Sequence, residues 1–153
     1  MSKYCIEKLI PQRSPILMVD ELLEADGEEA TTCFTIRPDN LFIGVDELLE
    51  ETGLIEHMAQ SASALAGYKA VLAGAERPPV GYIGEIKHFH CYRRPHLGDK
   101  LCTIVRLGME VNGVILVTGE NHIDGEVVAN TQMKIFVNPS NCLLYTSPSP
   151  RDA

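Results

Sequence analysis

The stretch GLIEHMAQSASALAGY, residues 53–68, is made almost wholly of small and apolar residues, yet it carries Glu56, His57 and Gln60. A carboxyl, an imidazole and a carboxamide are groups that move protons or hold the groups that do. On a helix, Glu56 and Gln60 stand one turn apart on the same face, so the amide can keep the carboxyl in one rotamer. His57 points about 100° away from Glu56 and shares a face with Gln60 instead. A carboxyl in apolar surroundings has its charged form disfavoured, which suits a general acid. The same carboxylate also suits the first turns of a helix, where the macrodipole favours an anion.

Two further groups of candidates flank this stretch. The N–H groups of Thr52 and Gly53, at the start of the same helix, are placed to polarise a carbonyl. Between Lys87 and Lys100 the otherwise acidic chain gathers Lys87, Arg93, Arg94 and Lys100, with only Asp99 opposing them. Guanidinium groups bind phosphate with fixed geometry, so Arg93 and Arg94 are candidate anion contacts; a solvated, charged turn is the plainer reading. Within KHFHCY, His88 and His90 alternate with Lys87, Phe89 and Cys91, and one of the two sets must face inward. His96 and His122 lie near turns and read as surface residues. The five cysteines, Cys5, Cys33, Cys91, Cys102 and Cys142, have no CxxC or CxxH spacing, so they read as reduced thiols, with no metal site or cofactor expected.

These residues need elements to position them. The chain of 153 residues, 45% hydrophobic and 22% charged, is long enough for one substantial core. Its formal net charge of -8 argues against a nucleic-acid partner, which would demand many phosphate-neutralising cations. No apolar run is long enough to cross a bilayer and the beginning, MSKYCIEKLIPQ, has no secretory core, so a cytoplasmic location is expected. A helix is predicted over residues 52–72, ending near Gly74. Around it the pattern predicts strands at ILMVDELLEAD, EEATTCFTIR, VGYIGEIKHFHCYR, KLCTIVRLGMEV, VILVTGENHI and EVVANTQMKIFV. Asp26-Gly27, Asn112-Gly113 and Asp124-Gly125 are hairpin signals, and RPHLGD is read as a further turn between antiparallel neighbours. One long helix with about six antiparallel strands is an α+β architecture in which the sheet covers the helix.

The end of the chain reads differently. Residues 142–153, CLLYTSPSPRDA, have no periodicity and match one reading frame of a transposase sequencing adapter. The expected organisation is therefore one domain over residues 1–141, followed by a non-native translation over 142–153.

Three segments in order carry a family resemblance. RSPILMVDELLEAD, then GLIEHMAQSASALAG, then GYIGEIKHFHCYRRPHLGDKL resemble the hot-dog-fold 3-hydroxyacyl-(acyl-carrier-protein) dehydratases. That family has an HRxPFLLVD-like segment, an IEAMAQ-like helix and a glycine-led strand ending in a Gly-Asp turn. The resemblance implies a hot-dog fold, with a sheet wrapped round a central helix, and a dimer with active sites at the interface. It implies that Glu56 is the helix carboxylate and Gln60 the amide beside it, acting on an acyl thioester of acyl carrier protein or coenzyme A. A phosphopantetheine arm or a coenzyme A would seek the basic patch of Arg93 and Arg94, of which at most one faces any given groove if the strand persists.

The sequence departs from the family at two places. The loop PDNLFIGVDELLEETG holds none of the family's loop histidine, and Gln12 stands where the resemblance places another histidine. The readings are thus a dehydratase of fatty-acid or aryl-polyene-type biosynthesis, with Glu56, Gln60 and His57 as the catalytic candidates, or a non-catalytic subunit paired with a complete dehydratase. An acyl thioesterase, whose carboxylate activates water, is the third. A homodimer fits the first and third, and a heterodimer with a related hot-dog subunit fits the second.

Overall fold

The architecture was obtained as a computed structural model that describes residues 5–76 and 80–138. The expected boundary after residue 141 and the adapter-like segment 142–153, with Cys142, lie outside the described residues.

Small residues determine how closely the helix is approached. The helix α1 spans Glu51–Leu72. A Cβ on its Gly67 would collide with the backbone carbonyl of Leu9, so the lead segment lies directly on the helix surface there. The helix ends as predicted: Gly74 adopts φ +92 and the N–H of Ala75 donates to the Ala70 carbonyl at 2.9 Å, closing the last turn.

The strands are β1 (Glu21–Ala25), β2 (Glu29–Thr35), β3 (Val80–Cys91), β4 (Lys100–Val111), β5 (Val114–Ile123) and β6 (Glu126–Asn138). They form one six-stranded antiparallel sheet in the order β1-β2-β4-β5-β6-β3. All three expected hairpins are present. Asn112-Gly113 and Asp124-Gly125 place both central residues at positive φ, as tight two-residue turns require. The Asp26-Gly27 turn is held differently, by the Asp26 carboxylate accepting from the N–H groups of Glu28 and Glu29 at 2.8 and 2.9 Å.

Two expectations are corrected. RPHLGD does not join neighbours: β3 pairs with β6 at the far edge, and the connection to β4 crosses the sheet. The connection is occupied elsewhere, since the Pro95 carbonyl accepts from Leu49 N–H at 2.8 Å and His96 bridges to Leu48, just before α1. Second, residues 16–20 are not strand; only Glu21–Ala25 is. The peptide groups of Met18 are taken by helix side chains rather than by a neighbouring strand.

The sheet's concave side packs on α1 and makes the α+β hot-dog arrangement. Met58, Ala62, Leu65, Val105, Val117 and Met133 fill one part of the core. Leu54 joins Phe34, Ile36, Leu49, Leu101 and Ile123 in the other. Gly119 on β5 makes room for the Met58 thioether.

Candidate active site

Glu56 occupies the wall of an apolar cleft of about 230 Å³ between α1 and the sheet. The helix contributes Glu56, Ala59, Ala62, Ser63 and Ala66, and the sheet contributes Ile83, Leu107, Ile115, Val117 and Ile135. Glu56, Ala59, Ser63 and Ala66 recur at helical spacing, so one stripe of α1 forms that wall. Gln12, Gly81 and Tyr82 complete the lining.

The expected partnership of Glu56 and Gln60 is present. Gln60 is fully buried; its Nε2 donates to Glu56 Oε2 at 2.8 Å and to the Ile16 carbonyl at 2.8 Å. Its Oε1 accepts from Met18 N–H at 2.6 Å. Every hydrogen-bonding direction of the amide that this geometry uses is thus fixed by backbone on one side and by the carboxylate on the other. Glu56 Oε1 is left without a partner among the described residues, on a side chain that lines the cleft.

His57 is not brought to this site. It is fully buried on the neighbouring face, stacked on Phe34 with ring centroids 5.7 Å apart. Nδ1 lies 2.7 Å from the Met18 carbonyl, which only accepts, so Nδ1 carries the proton. Nε2 therefore accepts from the Thr103 hydroxyl at 2.7 Å, and Thr103 Oγ1 in turn accepts from Asn121 Nδ2 at 2.8 Å. Burial lowers the imidazole's pKa from its ordinary value to about 4, keeping it neutral. Both ring nitrogens are used within the protein, so the placement of His57 as a catalytic candidate is corrected: 100° of helix rotation turns it into the core.

The other sequence candidates also lie away from the cleft. Gly53 is buried against Phe42 and Leu49, and its N–H donates to the Glu50 carbonyl at 2.9 Å; Thr52 is exposed. Neither lines the cleft, which begins a turn later at Glu56. Arg94 braces the loop before α1. Its Nε donates to the Leu49 carbonyl at 2.9 Å, its Nη2 to the Leu48 carbonyl at 3.2 Å, and it pairs with Asp46 at 2.7 Å and Glu50 at 3.4 Å. Arg93 pairs with Asp99 at 3.7 Å. Acidic loop residues thus engage the two guanidiniums at the opposite end of α1 from Ala66.

Phe89 and Cys91 pack on the core, so His88 and His90 point to the outer face of β3. His96 is exposed, and His122 is half-buried beside Glu120. The protein has five histidines, and none lines the cleft. Burial also pushes the Cys33 thiol up to about 11, so it stays protonated.

Gln12 is the cleft residue that residue spacing did not single out as functional. Its signal was its place at the position where the resemblance puts a histidine.

Residues 4–145 match the family described as ApeP-like, ApeP dehydratase. The chain is 27% identical over 139 residues to a 3-hydroxyacyl-[acyl-carrier-protein] dehydratase FabZ from Syntrophotalea carbinolica, covering 88% of this chain and 92% of that protein. Its fold matches a chain of the dehydratase heterocomplex ApeI:P from Xenorhabdus doucetiae with TM-score 0.81 at 17% identity, over 90% of this chain and 94% of the other. It also matches smu.793 from Streptococcus mutans UA159 bound to acetyl CoA, with TM-score 0.62 and 11% identity, over 84% of this chain and 94% of the other. No helix among the described residues is long and apolar enough to cross a membrane.

Proposed function

Because the chain belongs to the ApeP-like family of hot-dog dehydratases, we propose that it is one subunit of a two-subunit dehydratase, contributing the carboxylate half of a site completed by a histidine-bearing hot-dog partner. The observation that carries this reading is the cleft itself: Glu56 is held by Gln60 against an apolar groove, and no histidine of the chain lines it. Loss of water from a 3-hydroxyacyl thioester needs a base to take the proton from C2 and an acid to protonate the hydroxyl leaving C3. Glu56, as the acid, gives a proton to that hydroxyl, and the partner's histidine takes the C2 proton. The C2 electron pair forms the new double bond as water departs.

The edge of the sheet supports pairing with a similar subunit. Among the described residues β3 pairs with β6 alone, and along its 12 residues Tyr82, Ile83 and Ile86 are exposed. An uncovered edge strand of this length is a template for strand addition. In a heterodimer of this kind one site is complete and its twofold mate is not, because this chain returns no histidine to the partner's carboxylate. The heterocomplex to which the fold is similar lends weight to the same arrangement.

The test is turnover of a 3-hydroxyacyl thioester, followed by mass spectrometry, for the purified chain alone and mixed with a hot-dog subunit that retains the loop histidine. Expected is intact substrate with this chain alone and loss of water with the pair. In the pair, Glu56→Gln should lower the rate contributed by the shared site roughly 10²- to 10⁴-fold, the range for removing a general acid. Dehydration by this chain alone would overturn the shared-site reading. Release of free acid would move the assignment to a thioesterase.

A further inference from the structure

The cleft holds a polar group that the proposed elimination does not use. Gln12 lines the same groove as Glu56, yet its Oε1 is buried and has no hydrogen-bond partner among the described residues. A buried acceptor without a donor is costly, and native proteins leave few of them. Gln60 makes the contrast, since both ends of its amide are engaged.

The backbone that presents Gln12 is firmly held. Leu9 lies against Gly67 with no room for a side chain between them, and Ile10 is fully buried. The Arg13 guanidinium donates to the carbonyls of Glu7, Ile10 and Gln12 at 2.8, 2.8 and 2.9 Å. Beyond it, Gln60 fixes Ile16 and Met18. The side chain of Gln12 is thus delivered into the groove from a segment stapled to α1 on both sides. The terminal torsion of a glutamine is soft, so rotation about it can turn the oxygen toward a group entering the cleft.

We infer that Gln12 is a specificity-determining residue whose carboxamide oxygen accepts a hydrogen bond from a hydroxyl carried on the acyl chain, so that the cleft selects hydroxylated over saturated acyl thioesters. This rests on the acyl-thioester reading of the same site. An acceptor oxygen requires a donor, and apart from Glu56, Ser63 and Tyr82 the surrounding walls are glycine, alanine, valine, leucine and isoleucine, which take hydrocarbon. A hydrocarbon chain bearing a hydroxyl satisfies both. The amides of a pantetheine arm are the other donors such a ligand brings, and they are common to both acyl types.

The experiment is calorimetric titration of the full chain, paired with a hot-dog subunit whose loop histidine is replaced by alanine so that no water is lost, with 3-hydroxyoctanoyl-pantetheine and with octanoyl-pantetheine, for the unaltered protein and for Gln12→Leu. Expected is roughly tenfold tighter binding of the hydroxylated ligand, the size of one net hydrogen bond. Gln12→Leu should remove that preference while leaving the saturated ligand bound at least as well. Equal affinity of the unaltered protein for both ligands would overturn the inference without needing any variant, and would leave the acyl-site reading standing. Equal weakening of both ligands by Gln12→Leu would assign the amide to the pantetheine arm and overturn it too. Binding of neither ligand would overturn the acyl-site reading itself, and this inference with it.

Discussion

Gln60 accepts the backbone N–H of Met18 across 2.6 Å, while one turn earlier in the helix His57 donates to the carbonyl of that same residue at 2.7 Å. Both peptide groups of Met18 therefore end on α1, and the chain from Ile16 to Met18 is laid on the helix as though it were a strand. Removing Gln60 strands two buried backbone groups, Met18 N–H and Ile16 C=O. Gln60→Ala should destabilise the fold by about 3 kcal/mol, at about 1–3 kcal/mol for each unsatisfied group. Urea denaturation followed by circular dichroism measures this; a loss below about 1 kcal/mol would show that the staple is not structural.

His57 sets an acid limit on stability. The folded chain keeps it neutral down to about pH 4, whereas in the unfolded chain it takes up a proton near its ordinary pKa of 6.5. Between those values the unfolded state binds more protons, so stability is lost as pH falls through that window and is intact above it. The loss approaches about 3 kcal/mol by pH 4, at about 1.4 kcal/mol per pKa unit. Denaturation midpoints at pH 7 and pH 5 should differ in the unaltered protein and differ less in His57→Asn, and the imidazole's NMR signals should stay those of a neutral ring at pH 5.

The two close approaches to glycine should respond unequally to alanine. At Gly67 the obstacle is the backbone of Leu9, which cannot withdraw without breaking the lead segment from the helix. At Gly119 it is chiefly the flexible end of Met58. Overpacking a core costs about 1–3 kcal/mol. Gly67→Ala belongs at or above the top of that range and Gly119→Ala toward the bottom; thermal melting should preserve the order.

The two neighbouring arginines should separate in the same way. Arg94 holds the carbonyls of Leu48 and Leu49 as well as two acidic side chains, whereas Arg93 makes one surface ion pair with Asp99. Arg94→Ala should speed amide hydrogen exchange over residues 44–50 and at the start of α1, while Arg93→Ala leaves it unchanged. Equal exchange in both variants would mean that the loop holds its form without Arg94.

The order of apolar stretches and Asx-Gly turns determined by itself that one long helix and an antiparallel sheet would form, because those signals are local. Helical spacing likewise determined that Glu56 would sit beside Gln60 and away from His57. The tertiary structure decided the rest. Residues 16–20 carry an apolar run that leads into β1, yet the Ile16 carbonyl and both peptide groups of Met18 go to helix side chains 39 to 44 positions away, which a local pattern does not encode. The place of β3 at the edge, beside β6, depends on where the RPHLGD connection is anchored rather than on its turn residues. Arg93 and Arg94 read as candidate anion contacts until the fold set Asp99 against one and Asp46 and Glu50 against the other. Gln12 reads as a simple departure until the cleft closes round it, because whether a polar side chain is unpartnered depends on what packs beside it.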